Sequence, residues 1–133
     1  MKRIWIAALL FCAASGSAFA KFQSMQPGKW LITSTTRIPS VPYPMPSMSR
    51  TTCISAVQAR NHGAVPMAQH GCSMKSHRIS GDTMTWTMGC PHGQVISGTM
   101  TSTGTTYHAD MTTENMGRTM HTIVDGKRLG ACR

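Results

Sequence analysis

From residue 72 to the C-terminus, apolar and polar side chains alternate along the chain, and turn-forming residues interrupt them at roughly the 8–12-residue spacing of successive hairpins. The clearest stretch is TMTWTMGC, which places Met84, Trp86, Met88 and Cys90 on one face of a strand and Thr83, Thr85 and Thr87 on the other. A repeat of two is that of an extended chain with one face buried, so this region reads as an antiparallel meander. Turns are expected at Gly81-Asp82, Pro91-His92-Gly93, Thr103-Gly104, around Asn115-Met116-Gly117, and at Asp125-Gly126, where the central residues tolerate positive φ. Those turns delimit six strands. Upstream, residues 29–38 (KWLITSTTRI) are rich in β-branched side chains and stop at Pro39, giving a first strand and a total of about seven.

Between these regions the pattern breaks. Pro39, Pro42, Pro44 and Pro46 lack amide donors and favour an extended surface crossover. Ser55 with Gln58 three residues later forms a capping box, and Gly63 is a natural terminator, so one short helix is expected there. The predicted fold is therefore mainly β: an antiparallel meander forming an open or partial barrel, with one short helix.

The first twenty residues do not belong to that pattern. Lys2 and Arg3, an apolar stretch over residues 4–14 and Ala18-Phe19-Ala20 have the form of a secretory signal cleaved after Ala20. The apolar stretch is well short of the roughly 20 residues needed to span a bilayer. Bulky Phe11 stands before Cys12, where lipid modification requires a small residue, so Cys12 is expected to leave with the signal. Residues 21–133 then form a single β-rich domain in the periplasm. Four mature cysteines, Cys53, Cys72, Cys90 and Cys132, imply two disulfides in that oxidising compartment. Of the three possible pairings, we take Cys53–Cys72 and Cys90–Cys132 as the expected one. No C-x-x-C occurs, which argues against a zinc ribbon or a thioredoxin-like site.

Losing Lys2 and Arg3 leaves eleven Lys and Arg against Asp82, Asp110, Glu114 and Asp125, a net charge of +7. Nucleic acid is not an expected partner, because no run interleaves these basic residues with aromatics. Outside the inner membrane the charge favours an anionic envelope component instead.

Eleven Met and six His in the mature chain raise the question of a soft metal, since thioether and imidazole suit Cu(I). Candidate ligands are Met45 and Met48 in the proline-rich region, Met67 with His70, and Met120-His121 opposite a strand carrying His108 and Met111. Alternating Met84, Met88, Met100, Met111 and Met120 are equally suited to filling a core. Whether His108 and His121 share a face depends on the turn between them. An apolar face built from Met84, Trp86, Met88 and Tyr107 is the other candidate, either as solid core or as the lining of a ligand site.

Catalysis finds little support. G-x-S-x-G, H-E-x-x-H and phosphate-binding glycine loops are absent from the sequence, and Asp110 and Glu114 would stand about 13 Å apart along one strand, too far for a glycosidase pair.

Several landmarks together resemble the bacterial family known as domain of unknown function 3617. They are Gln26-Pro27-Gly28-Lys29-Trp30 with Ile32-Thr33, then Thr52-Cys53-Ile54, Cys72, Cys90, and the closing Gly126-Lys127-Arg128-Leu129-Gly130-Ala131-Cys132. The resemblance spans the whole mature chain and implies an exported β-rich domain, without an activity or catalytic residue to carry over. The expected function is that of a non-enzymatic binding or structural component of the envelope, without a cofactor. Two alternatives are a Met/His-based Cu(I)/Ag(I) binding protein and a carrier of a small apolar ligand.

Overall fold

A computed structural model describes residues 21–60 and 71–133. The expected signal, Gly63, Met67 and His70 lie outside the described residues. Seven strands are described: β1 (Gly28–Arg37), β2 (Met48–Ile54), β3 (Ser73–Ser80), β4 (Thr83–Gly89), β5 (Val95–Ser102), β6 (Thr106–Asn115) and β7 (Arg118–Gly130), with one helix, α1 (Ala56–Arg60). They form a single antiparallel sheet in the order β2-β1-β7-β6-β5-β4-β3. The meander runs from β3 to β7; β7 then pairs along its other edge with β1, which forms a hairpin with β2.

Four expected turns form. At the β6–β7 connection Met116 and Gly117 have φ of 48° and 74°, the pair of positive values that a tight two-residue hairpin requires. The capping box also forms, with Ser55 N donating to Gln58 Oε1 at 2.8 Å and Gln58 N to Ser55 Oγ at 3.2 Å.

Two departures offset each other in the strand count. Residues 48–54 form β2, which the run MSRTTCI did not announce, and the expected Asp125-Gly126 turn is absent because β7 passes straight through it. Gly126 is needed there for packing. It faces Tyr107 of β6 directly, and a Cβ at that position would overlap the tyrosine ring. Lying across the glycine, the ring reaches Trp30 on β1, with ring centroids 5.6 Å apart. The same device recurs on the next strands: Trp86 lies over Gly98, where a Cβ would come within 2.9 Å of its ring. That placement leaves the buried Trp86 Nε1 without an acceptor, a cost set against the area the ring removes from water.

The disulfides join Cys53 to Cys132 and Cys72 to Cys90, correcting the expected pairing. Cys53 lies on one edge strand, β2, and Cys72 precedes the other, β3, so proximity in sequence is misleading. Cys53 and Gly130 instead flank Lys29 from either side of β1, which brings Cys132 within reach. Cys72 and Cys90 bracket the β3–β4 hairpin.

Strand parity sorts the two faces. Trp30, Ile32, Ile54, Met84, Trp86, Met88, Ile96, Met100, Tyr107, Ala109, Met111 and Val124 are buried on one face. A single-layer sheet can remove so many large side chains from water only by curling around them. One end of the curl is closed by residues 21–27. Phe22 N donates to Gly81 O, Gln23 N to Ser102 O and Gln26 N to Gly104 O, so this segment crosses the β3–β4 and β5–β6 turns on its way to β1 and buries Met25. α1 starts at this same end, where β2 finishes, and buries Ala59 in the core.

Candidate functional site

At the opposite end the inner face stays open. A cavity of about 340 Å³ is bounded by Ile32, Ser34 and Thr36 of β1, Met48 and Arg50 of β2, Gln94 and Ile96, Thr113 of β6, and Met120, Thr122 and Val124 of β7. The register explains this set. Ser34 stands opposite Met48 on one side and Val124 on the other, Ile32 opposite Arg50, and Thr113 bridges Ile96 and Met120. All of these side chains therefore point into the curl. Its floor is buried Ile32, Ile96 and Val124, while its upper wall carries hydroxyls, two of which meet at 3.2 Å in the Thr36 Oγ1–Thr122 Oγ1 contact. A second depression, shared through Thr113 and Met120, extends the mouth to Met116 and Arg118 at the β6–β7 turn.

Charge is distributed unevenly about this mouth. Asp110, Glu114 and Asp125 have the outer parity of β6 and β7, and Asp82 lies in the β3–β4 turn at the closed end. Two arginines, Arg50 and Arg118, thus border the opening, and no carboxylate lines it. An apolar floor, a collar of hydroxyls and a cationic rim together suit a ligand with a short apolar body and an anionic head.

At the closed end a second cavity of about 490 Å³ is lined by Lys21, Asp82, Tyr107, His108 and Asp125 among others. Here His108 Nδ1 meets Asp125 Oδ1 at 2.7 Å, but both side chains are more than half exposed, 56% and 63%. Solvent screens such a pair. Among the described residues no hydroxyl or thiol is hydrogen-bonded to the His108 ring. Burial pushes the Tyr107 phenol up to about 12, opposed by the charge of Arg50 and reinforced by that of Asp125.

Of the candidate metal ligands among the described residues, Met48 and Met120 line the same cavity and the others stand apart from it. Met120 faces the cavity while its neighbour His121 faces outward, where Thr112 Oγ1 lies 3.2 Å from its Nδ1. His108 and His121 do share the outer face, but His108 stands opposite Asp125, four residues along β7, or about 13 Å from His121. Met111 is buried on the inner face and Met45 is exposed in the proline-rich connection. Met67 and His70 lie outside the described residues. Among the described residues no group of three or more His, Cys, Asp or Glu is placed to hold a metal ion. The apolar quartet Met84, Trp86, Met88 and Tyr107 does come together, as core.

Sequence reasoning named Met48 and Met120 but missed Arg50, Thr36, Thr113 and Thr122. Arg50 could be placed only once residues 48–54 were known to be a strand. The alternation T-C-I at its end was the one available signal, and it is too short to carry that assignment.

Most landmarks of the family resemblance converge at the closed end instead, while Cys72 and Cys90 join at the other end of the β3–β4 hairpin. Arg128 pairs with Trp30 across the β1–β7 ladder and its Nε donates to Pro27 O at 2.9 Å, Trp30 Nε1 donates to Gln26 O at 3.0 Å, and Cys132 is bonded to Cys53. No curated protein and no solved structure matches the chain. The model of the family described as "Protein of unknown function (DUF3617)" matches residues 25–132, from buried Met25 to the second half of the Cys53–Cys132 bridge, and the chain belongs to that family.

Proposed function

We propose that the protein is exported to the periplasm, with cleavage after Ala20, and acts there as a non-catalytic binding protein whose open mouth takes a small amphipathic anion. Two disulfides suit an oxidising compartment, and no helix among the described residues is long and apolar enough to cross a membrane. The observation that carries the reading is the mouth itself: an apolar floor of Ile32, Ile96 and Val124 beneath Arg50 and Arg118, with every carboxylate on the outer face or at the far end. This joins the expected preference for anionic envelope components to the expected apolar-ligand carrier, because one site supplies both attractions.

Calorimetric titration of the exported protein with decanoate and with decanol separates these attractions. Decanoate is expected to bind at least tenfold more tightly than decanol, a difference of about 1.4 kcal/mol. Arg50→Gln should remove most of that preference, and added salt should weaken the carboxylate alone. Equal affinity for the two probes, or binding of neither, would sink the proposal. An intact mass that does not begin at Lys21 would contradict the cleavage site.

A further inference from the structure

A different part of the inner face carries a second, independent reading. β3 is an edge strand, and a bulge interrupts its pairing with β4: Met74 opposes Met88, Ser76 opposes Thr87 and His77 opposes Trp86, leaving Lys75 as the extra residue. In a regular strand Met74 and His77, three residues apart, would point to opposite faces. The bulge reverses that, since one added residue shifts the parity between them. Both now stand on the inner face, beside Met88 and Trp86, whose side chains are buried there.

We propose that Met74, His77 and Met88 form a binding site for a single soft monovalent cation, Cu(I) or Ag(I). Directly opposed side chains on one face have Cβ atoms about 5 Å apart, so the thioethers of Met74 and Met88 start as neighbours. The His77 imidazole projects from the adjacent rung, within reach of unbranched methionine side chains with three rotatable bonds. Two thioethers and an imidazole are a donor set that selects Cu(I) or Ag(I) over the harder divalent ions. Met74 is 43% exposed and β3 lies at the sheet edge, so an ion can enter without unfolding the core. All four cysteines of the described residues are consumed in disulfides, which leaves no thiolate there to compete for the ion. The Cys72–Cys90 bridge closes the end of this hairpin next to Met74 and Met88 and fixes the register on which the site depends.

The site shares no residue with the anion-binding mouth. Its ligands differ from those the sequence suggested, because only the bulge in the structure reveals that Met74 and His77 face the same way.

Titration of the disulfide-intact, exported protein with Ag(I), followed by native mass spectrometry and tryptophan fluorescence, tests the proposal. One Ag(I) per chain should bind, with a change in indole emission, and excess Zn(II) should not displace it. Met74→Leu, at an exposed position where folding is not at issue, should weaken binding at least tenfold. Met88→Leu, which conserves volume, and His77→Phe should do the same with an unchanged far-ultraviolet spectrum. Met45→Leu and Met48→Leu should leave affinity unaltered. No binding, displacement by Zn(II), or Ag(I) affinity indifferent to both Met74→Leu and Met88→Leu would overturn it, whatever the outcome with decanoate.

Discussion

The two ends of the curled sheet are built from the same strands yet have opposite character. At the closed end, the Tyr107 ring lies across Gly126, residues 21–27 seal the turns, and the Cys53–Cys132 bridge joins β2 to the segment following β7. At the open end the inward positions change from Trp, Tyr and Met to Ser, Thr, Arg and half-buried Met120. The difference teaches how a small domain divides its work: buried area at one end supplies stability, which lets the other end keep polar and cationic groups solvated instead of packed.

The sharpest way to break this contrast is to cut the two bridges separately. On a chain-entropy estimate, removing Cys53–Cys132, with a sequence separation of 79, should cost about 4.5 kcal/mol. Removing Cys72–Cys90, with a separation of 18, should cost about 3 kcal/mol. Denaturant melts of the paired Cys→Ser variants measure both, and equal or reversed losses would show that the closed end is not the better-anchored one.

A smaller effect is expected at Gly126. Gly126→Ala drives a methyl group into the Tyr107 ring and should destabilise by about 2–3 kcal/mol, as overpacked cores do. Combining it with Tyr107→Leu should cost less than the sum of the two single changes, because the clash then has no partner. Strict additivity would refute the ring-over-glycine account. At the open end Thr122→Val, beside the cavity, should change stability by under about 1 kcal/mol.

A further effect appears only in alkali. The Tyr107 phenol is raised to about 12, so the folded state keeps its proton after an unfolded tyrosine, near 10, has lost it. Stability from this group is therefore complete below pH 10 and is lost as pH rises towards 12, the folded state binding the extra proton. Melting curves at pH 9 and pH 11 should converge more closely for Tyr107→Phe than for the unmodified protein. A pH dependence identical in both would place the ring outside the packed end.

Much of the fold was legible in the sequence because it is local. The capping box at Ser55 and Gln58, the positive-φ pair at Met116 and Gly117, and the Met84-Trp86-Met88 face each depend on residues within one turn or one strand of each other. Asp125-Gly126 misled for an instructive reason. A glycine required for a ring lying over it looks, in one dimension, the same as a glycine required for a turn. The candidate site was less legible still, since Arg50, Thr36 and Thr113 meet only across strands far apart in sequence, and the strand carrying Arg50 follows a proline-rich run with little alternation of its own.

By itself the sequence determined a β-rich chain, the alternation that buries one face, four of the hairpin turns and the cysteines available for bridging, because strand period and turn chemistry are written in neighbouring residues. Tertiary structure alone decided which cysteines join, that β7 continues through Asp125-Gly126, that one end of the curl stays open beneath Arg50, and that a bulge turns Met74 and His77 to the same side. Each of those depends on pairing between distant strands, and a shift of one residue in that register would send every side chain concerned to the other face.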